Sequence, residues 1–201
     1  MPVLVTREAP DFTADAVFPG GSIDTFSLSS WKGKYVCLFF YPMDFSIVCP
    51  SEIVAFNRRV EEFHDRNCKI AGISTDSEYV HHAWTSSDYR HGGVGPLKFP
   101  LISDKTKDIT RMYGILFNHA VALRGLFLID KAGIVRHELI NDIPLGRSVD
   151  ETLRILDALQ FYETQGNVCP ADWQPGDNGM EPSRDGVVDY MAKFMSTDIF
   201  P

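Results

Sequence analysis

The chain has no Cys-x-x-Cys pair and no dense cysteine spacing; its four cysteines stand apart as Cys37, Cys49, Cys68 and Cys169. That spacing argues against a disulfide-stapled scaffold or a zinc ribbon, so any role of these thiols is chemical. No His-Glu-x-x-His occurs, and His81 and His82 are adjacent rather than four apart, which leaves a helical metal site without support. A basic stripe is also missing. The formal net charge is -8 with acids and bases intermixed, so nucleic acid is not an expected ligand. No window approaches the roughly 18 uncharged apolar residues of a membrane span. The first residues, Met1-Pro2-Val3-Leu4-Val5-Thr6-Arg7-Glu8, show no basic segment followed by an apolar run. The expectation is a soluble, cytoplasmic protein with no membrane partner. Internal repeats and low-complexity tracts are absent.

What is present is enough apolar material, 44% of 201 residues, for one core of ordinary size. Tyr35-Val36-Cys37-Leu38-Phe39-Phe40-Tyr41 is a continuous apolar and aromatic run, the pattern of a central strand covered on both faces. After Pro42 and a short polar turn, Ile53, Phe56, Val60 and Phe63 recur three or four apart, which predicts one helix with Cys49 at its beginning. A second strand is predicted over 70–75 and a second helix from Glu78 to about Tyr89. The order strand, helix, strand, helix implies parallel pairing with crossover helices. His91-Gly92-Gly93-Val94-Gly95-Pro96 reads as a loop, by composition a plain connector.

Val121 to Asp130 and Gly133 to Ile140 read as two strands of a tight hairpin, so the sheet is mixed and the class is α/β. Ser148-Val149-Asp150-Glu151 is a capping box, followed by Leu153, Leu156 and Leu159 at helical spacing. After Gly166 the composition turns to proline and glycine, with a weak helix from about Arg184 to Met195. The chain therefore divides into a domain over residues 1–165 and an extended tail over 166–201. The tail carries Cys169 and Trp173, which either pack locally or dock on another subunit.

The chemistry centres on Cys49. A free thiol has a pKa near 8.5 and is only about 3% thiolate at pH 7, and the thiolate is the nucleophile. The first turn of a helix favours the anion, because unpaired backbone N–H groups and the positive end of the dipole point at it. Cys49 sits where that help is available, and Pro50 after it suits a first helical turn. Ser46 can place its hydroxyl near the sulfur or near a bound oxygen. A cysteine at a helix start is nonetheless more often structural than catalytic. Arg124, inside an apolar run, is informative because a charge there usually has a partner or a task. Cys37 and Cys68 read as small apolar core residues.

The string Tyr41-Pro42-Met43-Asp44-Phe45-Ser46-Ile47-Val48-Cys49-Pro50-Ser51-Glu52 closely resembles the active-site loop of the typical two-cysteine peroxiredoxins. Further matches follow in order: Trp84 in His-Ala-Trp, Gly92-Gly93-Val94-Gly95, Arg124-Gly125-Leu126-Phe127, Gly146-Arg147-Ser148-Val149-Asp150-Glu151 and Val168-Cys169-Pro170. The resemblance implies a thioredoxin-like fold, a mixed central sheet flanked by helices, and a thiol peroxidase for hydrogen peroxide and organic hydroperoxides in antioxidant defence. Cys49 would be the peroxidatic nucleophile and pass through a sulfenic acid. Arg124 would favour the thiolate and stabilise charge on the peroxide oxygens. Pro42 would shield the sulfur, Ser46 would hydrogen-bond the substrate, and Glu52 and Arg147 would orient Arg124. Cys169 would be the resolving cysteine, forming a disulfide with a neighbouring subunit. The implied partners are a second copy in a homodimer, with rings of five dimers a family tendency, and thioredoxin or another dithiol reductant. No cofactor and no metal are implied.

The chain departs from the family pattern in places. Ser46 replaces the commoner threonine, and Asp172 stands where many relatives have glycine. Members sensitive to overoxidation carry Gly-Gly-Leu-Gly and a Tyr-Phe pair; here Gly92-Gly93-Val94-Gly95 and Tyr190-Met191 imply intermediate sensitivity. A holdase chaperone acting as an oxidised assembly is the alternative function. A thioredoxin-type disulfide oxidoreductase ranks below both, since Pro50-Ser51-Glu52 brings no second thiol.

Overall fold

The computed structural model describes residues 3–197. The chain forms two compact units, one ending at Val149 and one beginning at Asp150. In chain order the first unit holds β1 (Thr13–Val17), β2 (Ile23–Ser27), β3 (Tyr35–Phe40), α1 (Cys49–Arg58), α2 (Val60–Asp65), β4 (Cys68–Ser74), α3 (Glu78–Ser86), β5 (Leu101–Ser103), α4 (Asp108–Met112), β6 (Leu116–Phe117), β7 (Val121–Ala122), β8 (Arg124–Ile129) and β9 (Val135–Asn141). Helix α5 (Val149–Gln165) opens where the units divide, and α6 (Arg184–Thr197) lies in the second.

A seven-stranded mixed sheet runs in the order β2-β1-β5-β4-β3-β8-β9. β3 pairs parallel with β4 and antiparallel with β8, and β8 pairs antiparallel with β9. All six residues of β3 are buried, as expected for a strand covered on both faces. Its alternation assigns the faces: Val36, Leu38 and Phe40 join Ala71, Ile73, Phe127 and Ile129 in the main core. Phe39, on the other face, stacks on Phe56 of α1 at 4.5 Å between ring centroids, and Phe56 packs on Phe63 of α2.

The expected single helix after Cys49 is two helices. α1 ends at Arg58 and α2 starts at Val60, with Arg59 between them at φ -107°, ψ 8° and its N–H bonded three residues back to Phe56. The apolar face of Ile53, Phe56, Val60 and Phe63 is continuous across the break, so spacing does not reveal it. α3 stops at Ser86, short of Tyr89, because Ser87 is extended and its hydroxyl donates to the Ala83 carbonyl. The expected strand over 121–130 is also divided. β7 pairs with β6 in a separate two-stranded sheet, and Leu123 turns its N–H to the Ile115 carbonyl, so β8 begins at Arg124.

The glycine loop is a fixed structure rather than a plain connector. Trp84 Nε1 donates to the Gly92 carbonyl, Val94 N donates to the Trp84 carbonyl, and Val94 is fully buried. A Cβ at position 93 would lie 2.0 Å from the Ser87 carbonyl oxygen, so the approach requires glycine. Two N-terminal strands, β1 and β2, and the short β5 complete the sheet beyond the strands read from the sequence.

In the second unit, α5 ends at Gln165, where the composition changes. The following segment is not simply extended: Trp173 is buried, its ring lies 5.0 Å from that of Phe161, and Val168 bridges Met180.

Candidate active site

Three chain segments converge because of strand direction. β3 delivers the chain at its carboxyl end into residues 41–48 and then into α1, the position where open α/β sheets place their sites. β8 runs antiparallel to β3 with Phe39 opposite Leu126, so the first residue of β8, Arg124, lies at that same end of the sheet. β9 returns antiparallel with Asn141 opposite Arg124, which leads the segment carrying Arg147 back to it. Sequence separations of 72 to 95 residues between the partners are thereby closed.

Cys49 is the first residue of α1 and is fully buried. Pro50 occupies the opening turn, whose N–H groups at Ser51 and Glu52 both reach back to the Val48 carbonyl. Arg124 Nη1 lies 3.3 Å from Cys49 Sγ and 2.6 Å from Glu52 Oε2, while its Nε donates to the Ile143 carbonyl at 2.6 Å. Glu52, one turn after Cys49, also accepts from Arg147: from the backbone N at 2.9 Å, from Nε at 2.8 Å and from Nη2 at 3.1 Å. Arg147 Nη1 is held by the carbonyls of Phe40 and Gly125, the two strands that flank the site, at 2.8 and 2.6 Å.

All three charged side chains are at most 3% exposed. Two guanidinium groups sharing one carboxylate carry one net positive charge, and Cys49 Sγ is the polarizable atom beside it. In a buried setting such a charge stabilises negative charge on an oxygen that draws electrons from the sulfur. The fork of Arg124 serves Sγ, a carboxylate and a carbonyl together, which a lysine ammonium on a flexible stem does not reproduce.

Pro42 is buried just after the strand, in the segment that leads to Cys49. Ser46 is half-buried and its hydroxyl donates to the Met43 carbonyl at 2.9 Å, leaving its lone pairs as acceptors. The loop passes through Phe45 in the left-handed region, at φ 51°, with its half-exposed ring 6.0 Å from Trp84. Cys169 lies in the second unit, half-buried, with Sγ 3.5 Å from the Ala158 carbonyl of α5. Cys37 and Cys68 are buried in neighbouring strands. Burial pushes the Cys37 thiol up to about 12 and Cys68 well above its usual value, so both stay neutral core side chains.

The sequence reading did not single out the network that holds the loop. Tyr41 Oη donates to Asp44 Oδ1 at 2.9 Å, Asp44 N donates to Asp76 Oδ2 at 2.9 Å, and His81 Nδ1 meets Asp44 Oδ2 at 2.7 Å. His81 Nε2 faces the Ile102 carbonyl, which only accepts, so that nitrogen carries a proton and the Nδ1–Oδ2 contact holds another between its two atoms. Burial pushes the Asp44 carboxyl above its ordinary value, opposed by its bond with His81. The available signal was a histidine on the face of α3 that also carries Trp84, together with an aspartate inside the cysteine loop.

The AhpC/TSA family profile matches residues 5–138, and the profile of the C-terminal domain of 1-Cys peroxiredoxin matches residues 158–193. The chain is 51% identical to an alkyl hydroperoxide reductase C of Helicobacter pylori, covering 95% of this chain and 98% of that one. It is 49% identical to a thioredoxin peroxidase of Echinococcus granulosus, covering 96% and 100%. The crystal structure of reduced Plasmodium vivax 2-Cys peroxiredoxin superposes with a TM-score of 0.94 at 48% identity, covering 95% of this chain and all of that one. The chain belongs to the AhpC/TSA family and is a peroxiredoxin.

Proposed function

We propose that Cys49 is the peroxidatic nucleophile of this thiol-dependent peroxidase and that Cys169 of a second copy resolves it. The observation that carries the reading is the placement of Arg124 Nη1 3.3 Å from Cys49 Sγ with its guanidinium locked by buried Glu52. The sulfur lone pair attacks one peroxide oxygen and the O–O bond breaks. Sulfur is oxidised by two electrons to the sulfenic acid, and the other oxygen leaves as hydroxide or alkoxide and takes a proton to become water or an alcohol. Arg124 stabilises charge on both oxygens as that bond lengthens. Ser46, with its own proton committed to Met43, accepts from the O–H of the substrate, and Pro42 keeps water from the sulfur. Arg147 and Glu52 hold Arg124 in place.

The sulfenic acid then condenses with Cys169, giving an intersubunit disulfide and water. A dithiol protein of the thioredoxin kind returns both thiols, as the names of the relatives suggest for those proteins. The working unit is a homodimer, with a ring of five dimers as the larger assembly. A reducing compartment such as the cytoplasm suits the cycle, and antioxidant defence is its outcome. Residues 1–165 form the peroxidase domain, and 166–201 the tail that docks on the partner. The relatives favour this chemistry over a holdase chaperone.

The test is peroxide consumption with a thiol reductant, run beside non-reducing gels. Cys49→Ser should be inactive, and Cys169→Ser should react once and form no linked dimer. Full turnover by Cys49→Ser would overturn the mechanism.

A further inference from the structure

The second unit contains a charged side chain that the reading above leaves without a task. Arg154, on α5, is 22% exposed and grips Glu151 with both faces of its fork, Nε to Oε2 at 2.6 Å and Nη2 to Oε1 at 2.7 Å. Its remaining Nη1 donates at 2.8 Å to the carbonyl of Trp173. One turn further along the same face of α5, the Ala158 carbonyl faces Cys169 Sγ at 3.5 Å. The turn from Cys169 to Trp173 is therefore held on α5 at both ends: by its thiol over Ala158 and by its last carbonyl on Arg154. Within it, the bond from Trp173 N to the Pro170 carbonyl closes a four-residue turn whose third residue, Asp172, sits at φ 58°, where a glycine is ordinarily at ease.

We propose that Arg154 is a positioning residue of the resolving step: it pins the Cys169 turn to α5 and presents the thiol with a positive charge that Glu151 and Asp172 partly cancel. The inference rests on the assignment of Cys169 as the resolving thiol. The Cys169 thiol loses its proton, the thiolate attacks the Cys49 sulfenic sulfur, the S–S bond forms as the S–O bond breaks, and the departing hydroxide takes up that proton as water. Ionisation of Cys169 therefore enters the rate. Burial pushes this thiol up, and the Arg154 guanidinium pulls it part of the way back. The charged groups bearing on it are Arg154 and, through that guanidinium, Glu151 of the same helix and Asp172 of the turn.

The two side chains act in opposite directions, which separates a charge effect from a loosened structure. Without Arg154 the thiol gains a proton more readily and the turn loses its anchor. Without Asp172 the guanidinium is balanced by Glu151 alone and acts more strongly on the thiol, and glycine accepts the left-handed backbone. The experiment treats reduced wild type, Arg154→Gln, Asp172→Gly and Cys169→Ser with one equivalent of hydrogen peroxide across a pH series. Linked dimer is followed on non-reducing gels and normalised to the sulfenic acid trapped in parallel samples. Arg154→Gln should slow linkage at pH 7 by about three- to tenfold, with its pH profile displaced upward because the guanidinium no longer favours the thiolate. Asp172→Gly should displace the profile downward, and it carries the test if Arg154→Gln unfolds the segment. A wild-type profile in both variants overturns the inference, as does slowing by one common factor at every pH. Linked dimer from Cys169→Ser would instead overturn the assignment of Cys169 itself.

Discussion

Glu52→Gln is the sharpest test of the site because it leaves shape nearly constant and changes only charge and donor pattern. The carboxylate accepts four hydrogen bonds: two at Oε1, from Arg147 N and Nε, and two at Oε2, from Arg124 Nη1 and Arg147 Nη2. A glutamine can offer its oxygen on one side only. Whichever way the amide is turned, two of the four contacts become donor against donor. Two guanidinium groups at most 2% exposed are at the same time left without their anion. Breaking a buried ion pair from one side costs about 3–5 kcal/mol. For a chain of this size, at roughly 2–4 °C per kcal/mol, thermal unfolding should move down by about 6–20 °C.

The functional consequence divides into two readouts. The net positive charge beside Cys49 rises by one, so alkylation of that thiol should not slow. Arg124 loses the bond that orients it, and loss of one preorganised donor typically costs about 10²–10³ in rate. Peroxide reduction by Glu52→Gln should therefore fall by about that factor while alkylation of Cys49 does not. Stopped-flow peroxide reduction, iodoacetamide labelling and a thermal melt make the comparison. Wild-type peroxide rates with an unchanged melt would refute the argument that the two arginines and Glu52 act as one unit. Slower alkylation with wild-type peroxide rates would refute the assigned division between charge and orientation.

Phe56→Ala should destabilise the fold by about 3–5 kcal/mol in a denaturant titration, because the ring is fully buried, stacked on Phe39 at 4.5 Å and packed on Phe63. Alkaline stability should fall from pH 9 toward 12. The unfolded Cys37 thiol releases its proton at about 8.5 while the folded one holds it to about 12, so rising pH favours the unfolded chain; a Cys37→Ala variant should show a shallower decline by circular dichroism. Because burial holds the Cys37 and Cys68 thiols protonated, native protein alkylated at pH 8 should be labelled at Cys49 and Cys169 and not at Cys37 or Cys68, as peptide mapping would reveal. Val94 in the glycine loop and Met191 beside Tyr190 predict that Cys49 sulfinic acid accumulates only at high peroxide during turnover. Mass spectrometry that finds none at any concentration would sink that expectation.

Much of this was open to reading from the linear chain, because its causes are local. A strand buried on both faces shows as an unbroken apolar run, so β3 was visible. Pro50 and the apolar spacing after it marked the start of α1 and put Cys49 there. The capping box before α5 and the turn between β8 and β9 are likewise short-range chemistry, and the loop from Pro42 to Cys49 was specific enough to name its family. Tertiary structure alone decided which atoms meet. The antiparallel registers of β3, β8 and β9 bring Arg124 and Arg147 onto Glu52 beside Sγ, and no sequence spacing contains that register. The same holds for His81 and Asp44, paired 37 residues apart. It holds for the break at Arg59, whose apolar face runs on unbroken, and for the left-handed Asp172, whose backbone angle shows only once the turn closes against α5. Residue types set what each side chain can donate, accept or carry as charge; burial and convergence set which of those capacities meet at one sulfur.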